Sequence, residues 1–389
     1  MTALFLIVLV DLIGFGIIIP LLPFFAEHFD ASPFEVGLVM ASYSAAQLVA
    51  APAWGRISDR IGRRPVLLAT LFGMVAGYVA LAAIETLAGL FAVRILTGFM
   101  AGNISTAFAY IADITAPETR ARGMGIIGAA FGLGFIAGPA IGGLLAGPDP
   151  AAADFRTPAL AAALLSALAF ALVWFRLPES LSPEARARPP GAQASGTWLE
   201  MLRRPRLNGM VGLMFLATFV FAGMEATFAI WSERRFGWGP EQNGYLFAFI
   251  GILSAAIQGG AIGRLAARFG ERRLVSMGAI LLALGLGAIP FAANVYALVP
   301  AIALAGAGFS LLSPALNSLI SFEAGERERG GIMGFARSSA TLGRVLGPAW
   351  AGAIFGLIGK DAPYFGGALL MVLLAVLAPR VLKDQVTRR

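Results

Sequence analysis

Runs of about twenty apolar residues, each the length of one helical crossing of a bilayer, recur along almost the whole chain. They fall near 3–25, 36–54, 65–84, 87–111, 123–146, 157–177, 207–231, 242–263, 274–293, 296–320, 331–355 and 362–382. Nothing else in the sequence restricts the fold as strongly. Hydrocarbon offers a backbone no hydrogen-bond partners, so each run must satisfy its own N–H and C=O groups as a helix. Twelve crossings consume most of the 389 residues and leave short loops, with no room for a sizeable water-soluble domain. The composition agrees: 58% of residues are hydrophobic and 13% charged, where an ordinary soluble domain has about 25% charged. The predicted class is all-α and integral to the membrane, with an even number of spans and both termini on one side.

The basic residues say which side. Of the 29 Lys and Arg, 22 fall on the side that carries the termini, including Arg56, Arg60, Arg63, Arg64, Arg264, Arg268, Arg272 and Arg273. The opposite loops hold Arg156, Arg234, Arg235 and Lys360, and Arg94, Arg337 and Arg344 lie inside spans. The positive-inside rule therefore places both termini in the cytoplasm. This sorting also explains the net charge of +7, so the lipid bilayer, not nucleic acid, is the expected macromolecular partner. The first run reads as a span and not as a cleaved signal, because it has no basic start, carries Asp11 in its middle and lacks a small-residue cleavage site.

Several chemistries are excluded. There is no cysteine, and the single histidine, His28, sits in a predicted loop. Disulfides, thiolates, a His-rich metal site and a Ser-His-Asp triad are ruled out, and no metal, cofactor or enzymatic activity is expected. No GxxxxGK[ST] phosphate loop is present, so ATP does not drive the protein directly and an ion or substrate gradient must.

The longest polar stretch, 178–206, holds Pro178, Pro183, Pro189, Pro190, Gly191 and Gly196 and reads as a flexible cytoplasmic linker. It divides the chain into six spans at 1–177 and six at 207–389. The halves echo each other: "GRISDRIGRR" at 55–64 matches "GRLAARFGER" at 263–272 with an offset of 208, and "GMGIIGAAFGLGFIAGPA" at 123–140 matches "IMGFARSSATLGRVLGPA" at 332–349 with an offset of 209. Parallel six-span repeats are the architecture in which two pseudo-symmetric bundles rock about a site near the midplane.

These segments resemble a known family. The loop Gly55-Arg56-Ile57-Ser58-Asp59-Arg60-Ile61-Gly62-Arg63-Arg64 looks like the major facilitator superfamily signature between its second and third helices. "RILTGFMAGN" at 94–103 resembles its arginine motif, "GLGFIAGPAIGG" at 132–143 the glycine-proline motif of antiporters, "DLIGFGIIIPLLP" at 11–23 the first helix of twelve-span drug:proton antiporters, and "ERRFGW" at 233–238 the bacterial tetracycline/proton antiporters. The resemblance covers nearly the whole chain. It implies a major facilitator superfamily fold of twelve transmembrane helices in two six-helix bundles, acting as a monomer in the bacterial inner membrane. It also implies alternating-access efflux of small amphipathic drug-like compounds against protons. Helices 3 ("LFGMVAGYVALA") and 9 ("MGAILLALGLGA") lack the acids of tetracycline exporters, and Ser254 stands near their histidine, which counts against tetracycline as the main substrate. Transport of a lipid or organic anion, suggested by Arg94 and Arg344, is the alternative; a non-transporting receptor is disfavoured by the short loops.

A charge at the centre of a span costs about 2.5–3.5 kcal/mol on insertion scales, so each one needs a reason. Asp11 lies about 12 Å from the cytoplasmic end of its helix and Arg94 about 9 Å from the outer end of helix 4, at 1.5 Å per residue. Within reach of each other, they read either as a proton carrier tuned by a cation or as a fixed interhelical ion pair. Glu225 reads as a second proton site, as a ligand for a cationic group, or as a carboxylate wetted by an outer vestibule. Arg344 is a candidate partner of Glu225, Asp11 or an anionic substrate, whereas Arg337 is close enough to the cytoplasm to snorkel. Gly55, Asp59, Arg60, Gly62 and Arg64, with Asp113 as partner, are expected to form a conformational latch. Gly134, Gly138, Pro139, Gly142, Gly259 and Gly263 are expected to form a close-packed seam along which the halves slide. Candidates for the substrate pocket are Phe15, Tyr43, Gln47, Phe108, Phe131, Phe219, Glu225, Gln258, Asn317 and Arg344, with Phe221 and Trp231 as further aromatics inside spans.

Overall fold

The computed structural model describes residues 2–115, 120–181, 203–323 and 328–383. Among these residues there is no strand. Twelve long helices follow one another: α1 (Leu4–Glu27), α2 (Pro33–Ile61), α3 (Arg63–Leu81), α4 (Leu87–Ile114), α5 (Arg120–Ala146), α6 (Arg156–Arg176), α7 (Pro205–Phe236), α8 (Pro240–Phe269), α9 (Glu271–Phe291), α10 (Val295–Glu323), α11 (Arg329–Leu357) and α12 (Ala362–Val381). Eleven are long and apolar enough to cross a bilayer. The exception is α11, which has the length at 29 residues but carries Arg337, Arg344 and several Ser, Thr and Gly that dilute its apolarity. Most of the expected linker, 182–202, lies outside the described residues. By contacts the chain groups into two compact units, Met1–Ala192 with Ala229–Ile252, and Gln193–Phe228 with Leu253–Arg389.

Local signals set the helix ends. Ser32 and Glu35 form a capping box at the start of α2: the Ser32 hydroxyl accepts the Glu35 amide at 3.3 Å, and the Glu35 carboxylate accepts the Ser32 amide at 2.8 Å. The turn from α2 to α3 is made by Gly62 at φ 111°, and the turn from α8 to α9 by Gly270 at φ 77°. These are repeat-mates, and both hold the positive φ that glycine adopts without steric cost. The duplicated motif thus appears as the same backbone turn twice.

Within the first unit α1 is the central element. A Cβ on Gly138 of α5 would lie 2.6 Å from Gly16 Cα and 2.8 Å from Ile13 O, and one on Gly134 would lie 2.7 Å from Leu12 Cβ. Gly142 closes on Ile17 in the same way. Gly134, Gly138 and Gly142 form a seam with α1, because small residues at four-residue spacing let two backbones nearly touch. The opposite face of α5 meets the first half of α8, where a Cβ on Gly251 would lie 3.0 Å from Phe135 O and one on Gly143 would lie 2.7 Å from Pro240 O. The α8 glycines that pack are thus Gly244 and Gly251; Gly259 and Gly263, expected in the seam, have nothing within 4 Å. In the second unit, Gly343 and Gly347 of α11 press on the Phe215–Phe219 backbone of α7 as Gly134 and Gly138 press on α1.

The α2–α3 turn is tied down inside the first unit. Arg63 is 7% exposed; its Nε donates to Asp113 Oδ2 at 3.0 Å, and its Nη1 donates to Asp59 and to Ser58 Oγ. Glu179 accepts the Arg63 and Arg64 amides at 2.9 and 3.1 Å and so caps α3, where the unpaired N–H groups and the helix dipole favour an anion. Arg64 donates to Trp174 O at 2.7 Å, and Ser180 donates to Asp113 at 3.0 Å. The expected latch of Asp59, Arg60, Arg64 and Asp113 is corrected in its cation: Arg63 holds both aspartates, because it is the arginine that the Gly62 turn points inward, while Arg60 is exposed.

Two stability outcomes are expected. Gly138→Val forces a side chain into the Gly16 backbone and should lower stability by about 1–3 kcal/mol, whereas Gly263→Ala should stay within about 1 kcal/mol of the parent or stabilise it; thermal denaturation in detergent measures both. Arg63→Met leaves two carboxylates without their cation and should cost roughly 3 kcal/mol, the low end for breaking a buried pair, because Asp59 stays 57% exposed. Arg60→Met should leave the melting temperature unchanged by the same assay.

Candidate functional site

The first unit gathers its ionisable groups around α1. Asp11 is half-buried, and its Oδ1 is buried with no hydrogen bond from the protein. It lines a cleft of about 30 Å³ between α1, α3 and α4, together with Leu71, Asn103, Ile104 and Ala107. Arg94 is 4% exposed and lies over the Tyr43 ring, 4.3 Å from its centroid, a cation–π contact worth up to about 2 kcal/mol when desolvated. Tyr43 stacks on Phe15 at 5.0 Å, and Phe15 meets Phe135 edge-on at 6.0 Å. Asp11 and Arg94, read from the sequence either as a proton carrier tuned by a cation or as a fixed ion pair, form no ion pair. The helix register explains this: Gly98, one turn beyond Arg94, is pressed on the Tyr43 backbone, so that face of α4 looks at α2, while Asp11 looks toward α3. Tyr78 of α3, 1% exposed, lies within electrostatic reach of Asp11, Arg94 and Tyr43. Sequence reasoning passed over Tyr78; its one signal was a lone phenol in an otherwise apolar third span.

A local break shapes this region. Residues Ala101–Asn103 of α4 are 3₁₀-helical, which releases carbonyls from the α-helical ladder. Trp54 Nε1 donates to Phe99 O at 2.8 Å and Gln47 Nε2 to Ala101 O at 3.2 Å, so two α2 side chains satisfy the break. The Gln47 amide is thereby engaged as a splint, and Asn103 is placed on the cleft wall.

In the second unit Glu225 is half-buried on α7 and feels the charge of Arg344 on α11 without forming a direct ion pair. Arg344 is exposed although it sits mid-helix, and Arg337, two turns away, is exposed too and lies within its electrostatic reach. Phe221, one turn before Glu225 on the same face, stacks on Phe309 with centroids 4.0 Å apart and planes 11° from parallel. Phe219 packs on Phe215 at 5.8 Å and on Trp350 at 5.0 Å. Phe309 and Trp350 were not singled out from the sequence, where nothing distinguishes them from lipid-facing aromatics.

The remaining candidates scatter. Phe108 packs against the apolar core that includes Leu67, Leu71, Tyr110 and Ile111. The Phe131 side chain lies outside the described residues. Trp231 is fully buried with Phe236 at its edge, 5.7 Å away. Gln258 is exposed on a π-helical turn, Ile257–Ala261, and Asn317 Nδ2 donates to Ser313 O of its own helix at 3.0 Å. Ser254 is hydrogen-bonded to Ser310 at 2.8 Å. The arrangement thus supplies one carboxylate per unit near aromatic rings and an arginine, which suits reversible proton binding and contact with a flat organic molecule.

Comparison with known proteins places this architecture. The sequence model of the Major Facilitator Superfamily matches residues 4–262 and 256–389. The tetracycline resistance protein of class C from Escherichia coli is 33% identical over 380 residues, covering 95% of this chain and 94% of that protein. The class B protein from Escherichia coli is 31% identical over 355 residues, with 90% and 86% covered. The crystal structure of the human organic anion transporter MFSD10 (TETRAN) matches at a TM-score of 0.73 and 27% identity, covering 97% of this chain and 98% of that one. In sequence and in fold, then, the chain belongs to the major facilitator superfamily, a family of multi-pass membrane transporters and not of enzymes.

Proposed function

We propose that this transporter exports small amphipathic compounds across a bacterial inner membrane in exchange for protons. It does so as a monomer with cytoplasmic termini, by rocking a bundle of residues 1–177 against one of 207–389 joined by the 178–206 linker. The observation that carries the reading is Asp11: a carboxylate inside a spanning helix, with a buried oxygen that receives no hydrogen bond and with the nearest buried arginine committed to Tyr43. A fixed structural ion pair would look different. A carboxyl group of this kind, wetted on one side, gains and loses a proton as its access changes. The likeness to tetracycline resistance proteins supports drug efflux. The aromatic set of Phe15, Tyr43 and Phe135 suits a planar hydrophobic body, and Glu225 with the Phe221–Phe309 stack offers a second contact.

A second reading, export of an organic anion, is favoured by the exposure of Arg344 in the middle of α11 and by the likeness to MFSD10. A cation there demands water or an anion.

Proteoliposomes with an imposed pH gradient test both. Ethidium and fluorescein, flat aromatic probes of opposite charge, are compared for probe-dependent proton flux. Asp11→Asn should reduce the flux to that of empty liposomes while the protein still binds the probe; unchanged flux would exclude Asp11 as the carrier. Glu225→Gln should weaken ethidium binding, and Arg344→Gln should weaken fluorescein binding, each by about tenfold or more, as for loss of a charge-assisted hydrogen bond. Whichever substitution matters identifies the charge of the transported class.

A further inference from the structure

Asp11 stands between two different environments. Toward α2 and α5 lies the ring cluster of Phe15, Tyr43 and Phe135, with Arg94 above Tyr43. Toward α3 and α4 lies the separate cleft of about 30 Å³, none of whose lining residues belongs to that ring cluster. A water needs about 10–15 Å³ and at least two polar partners, and the cleft has the room. It also has the polar partners, Asp11 on α1 and Asn103, 5% exposed, at the 3₁₀ break of α4. Its other walls are apolar, with Val8 and Ile104 half-buried at its edge. Leu4, Ile7, Leu67 and Leu71 line it on the side of the chain termini, where they join the apolar core that includes Tyr110 and Ile111. The ionisable groups near Asp11 are Tyr78 on α3 and Arg94 on α4, and neither lines the cleft.

We infer that this cleft is a hydration site through which Asp11 exchanges its proton with the cytoplasmic side, apart from the Phe15–Tyr43–Phe135 rings proposed to contact the substrate. The inference rests on Asp11 carrying the coupling proton and adds the route. A water held between Asp11 and Asn103 takes the carboxylic proton to become hydronium and leaves the carboxylate behind; the reverse step reloads it. The apolar side of the cleft acts as a gate that conducts only when wetted. Separate paths for proton and substrate let the carboxylate titrate while a substrate lies against the rings.

The test narrows the cleft without touching Asp11 or the rings. Ala107→Leu fills it, and Asn103→Leu removes its second polar wall at similar volume. Both should slow ethidium- or fluorescein-driven proton flux about tenfold, the effect of a barrier raised by about 1.4 kcal/mol, with probe binding at the parental affinity. Because the chain has no cysteine, Ile104→Cys and Ala107→Cys can be probed directly with Ag⁺, an ion of about water size; Ag⁺ should arrest flux in these variants and spare the parent. Parental flux in both leucine variants, or Ag⁺ without effect on either cysteine variant, overturns the route if Asp11→Asn still abolishes flux. If Asp11→Asn leaves flux intact, the reading of Asp11 itself fails, and the route with it.

Discussion

The contact of Gly16 with Gly138 sets the geometry on which the first unit depends. Neither residue has room for a side chain, so α1 and α5 touch through their backbones over the turns from Leu12 to Ile17. That contact fixes the rotation of α1, and with it the direction of every residue nearby. Gly14 is turned to Ala162 of α6, Phe15 to Tyr43 of α2, and Asp11, with Leu4 and Ile7, to the cleft against α3 and α4. Two glycines inside a helix each lose up to about 1 kcal/mol of propensity relative to alanine. The close packing they permit is what places one carboxylate between two different environments.

Hydrocarbon gives ions nothing to bind, and the chain answers in three ways. Arg63, at the rim, is neutralised by Asp59 and Asp113 and anchors the Gly62 turn. Arg94, deeper, is held over the electron-rich face of Tyr43, 4.3 Å from the ring centroid. Arg344 is left exposed, near Glu225 but not paired with it. Rim charges are thus paired within the protein, whereas the deeper Arg94 and Arg344 have no ion-pair partner among the described residues. The scaffold repeats, together with the loop arginines Arg56/Arg264, Arg60/Arg268 and Arg64/Arg272, but the charges inside the spans do not. The glycine turns at Gly62 and Gly270 and the helix contacts of Gly138 and Gly347 recur in both halves, whereas Arg344 corresponds by the repeat offset to Phe135. Duplication supplied a frame, and unmatched ionisable residues differentiated its two sides.

Much of the frame was legible in the sequence because its causes are local or one-dimensional. Span length follows from bilayer thickness, and the duplicated turn from two glycines at matching offsets. Asp11, Arg94, Glu225 and Arg344 stood out because charge in an apolar run is conspicuous without any knowledge of neighbours. What was misjudged depended on helix rotation. The same four-residue glycine spacing on α5 and α8 describes a tight seam in one helix and open space at Gly259 and Gly263 in the other.

By itself, then, the sequence determined that this is a twelve-helix membrane protein, which end of each helix bears the positive charge, and which few ionisable groups hydrocarbon must tolerate, since each follows from residue type and spacing along the chain. Only the tertiary structure decided that Arg63 holds the aspartates, that Arg94 rests on Tyr43 instead of pairing with Asp11, and that Tyr78 and Asn103 lie near Asp11. Those outcomes turn on which faces of neighbouring helices meet, and a helix rotated by one residue, about 100°, would meet different partners with the same sequence.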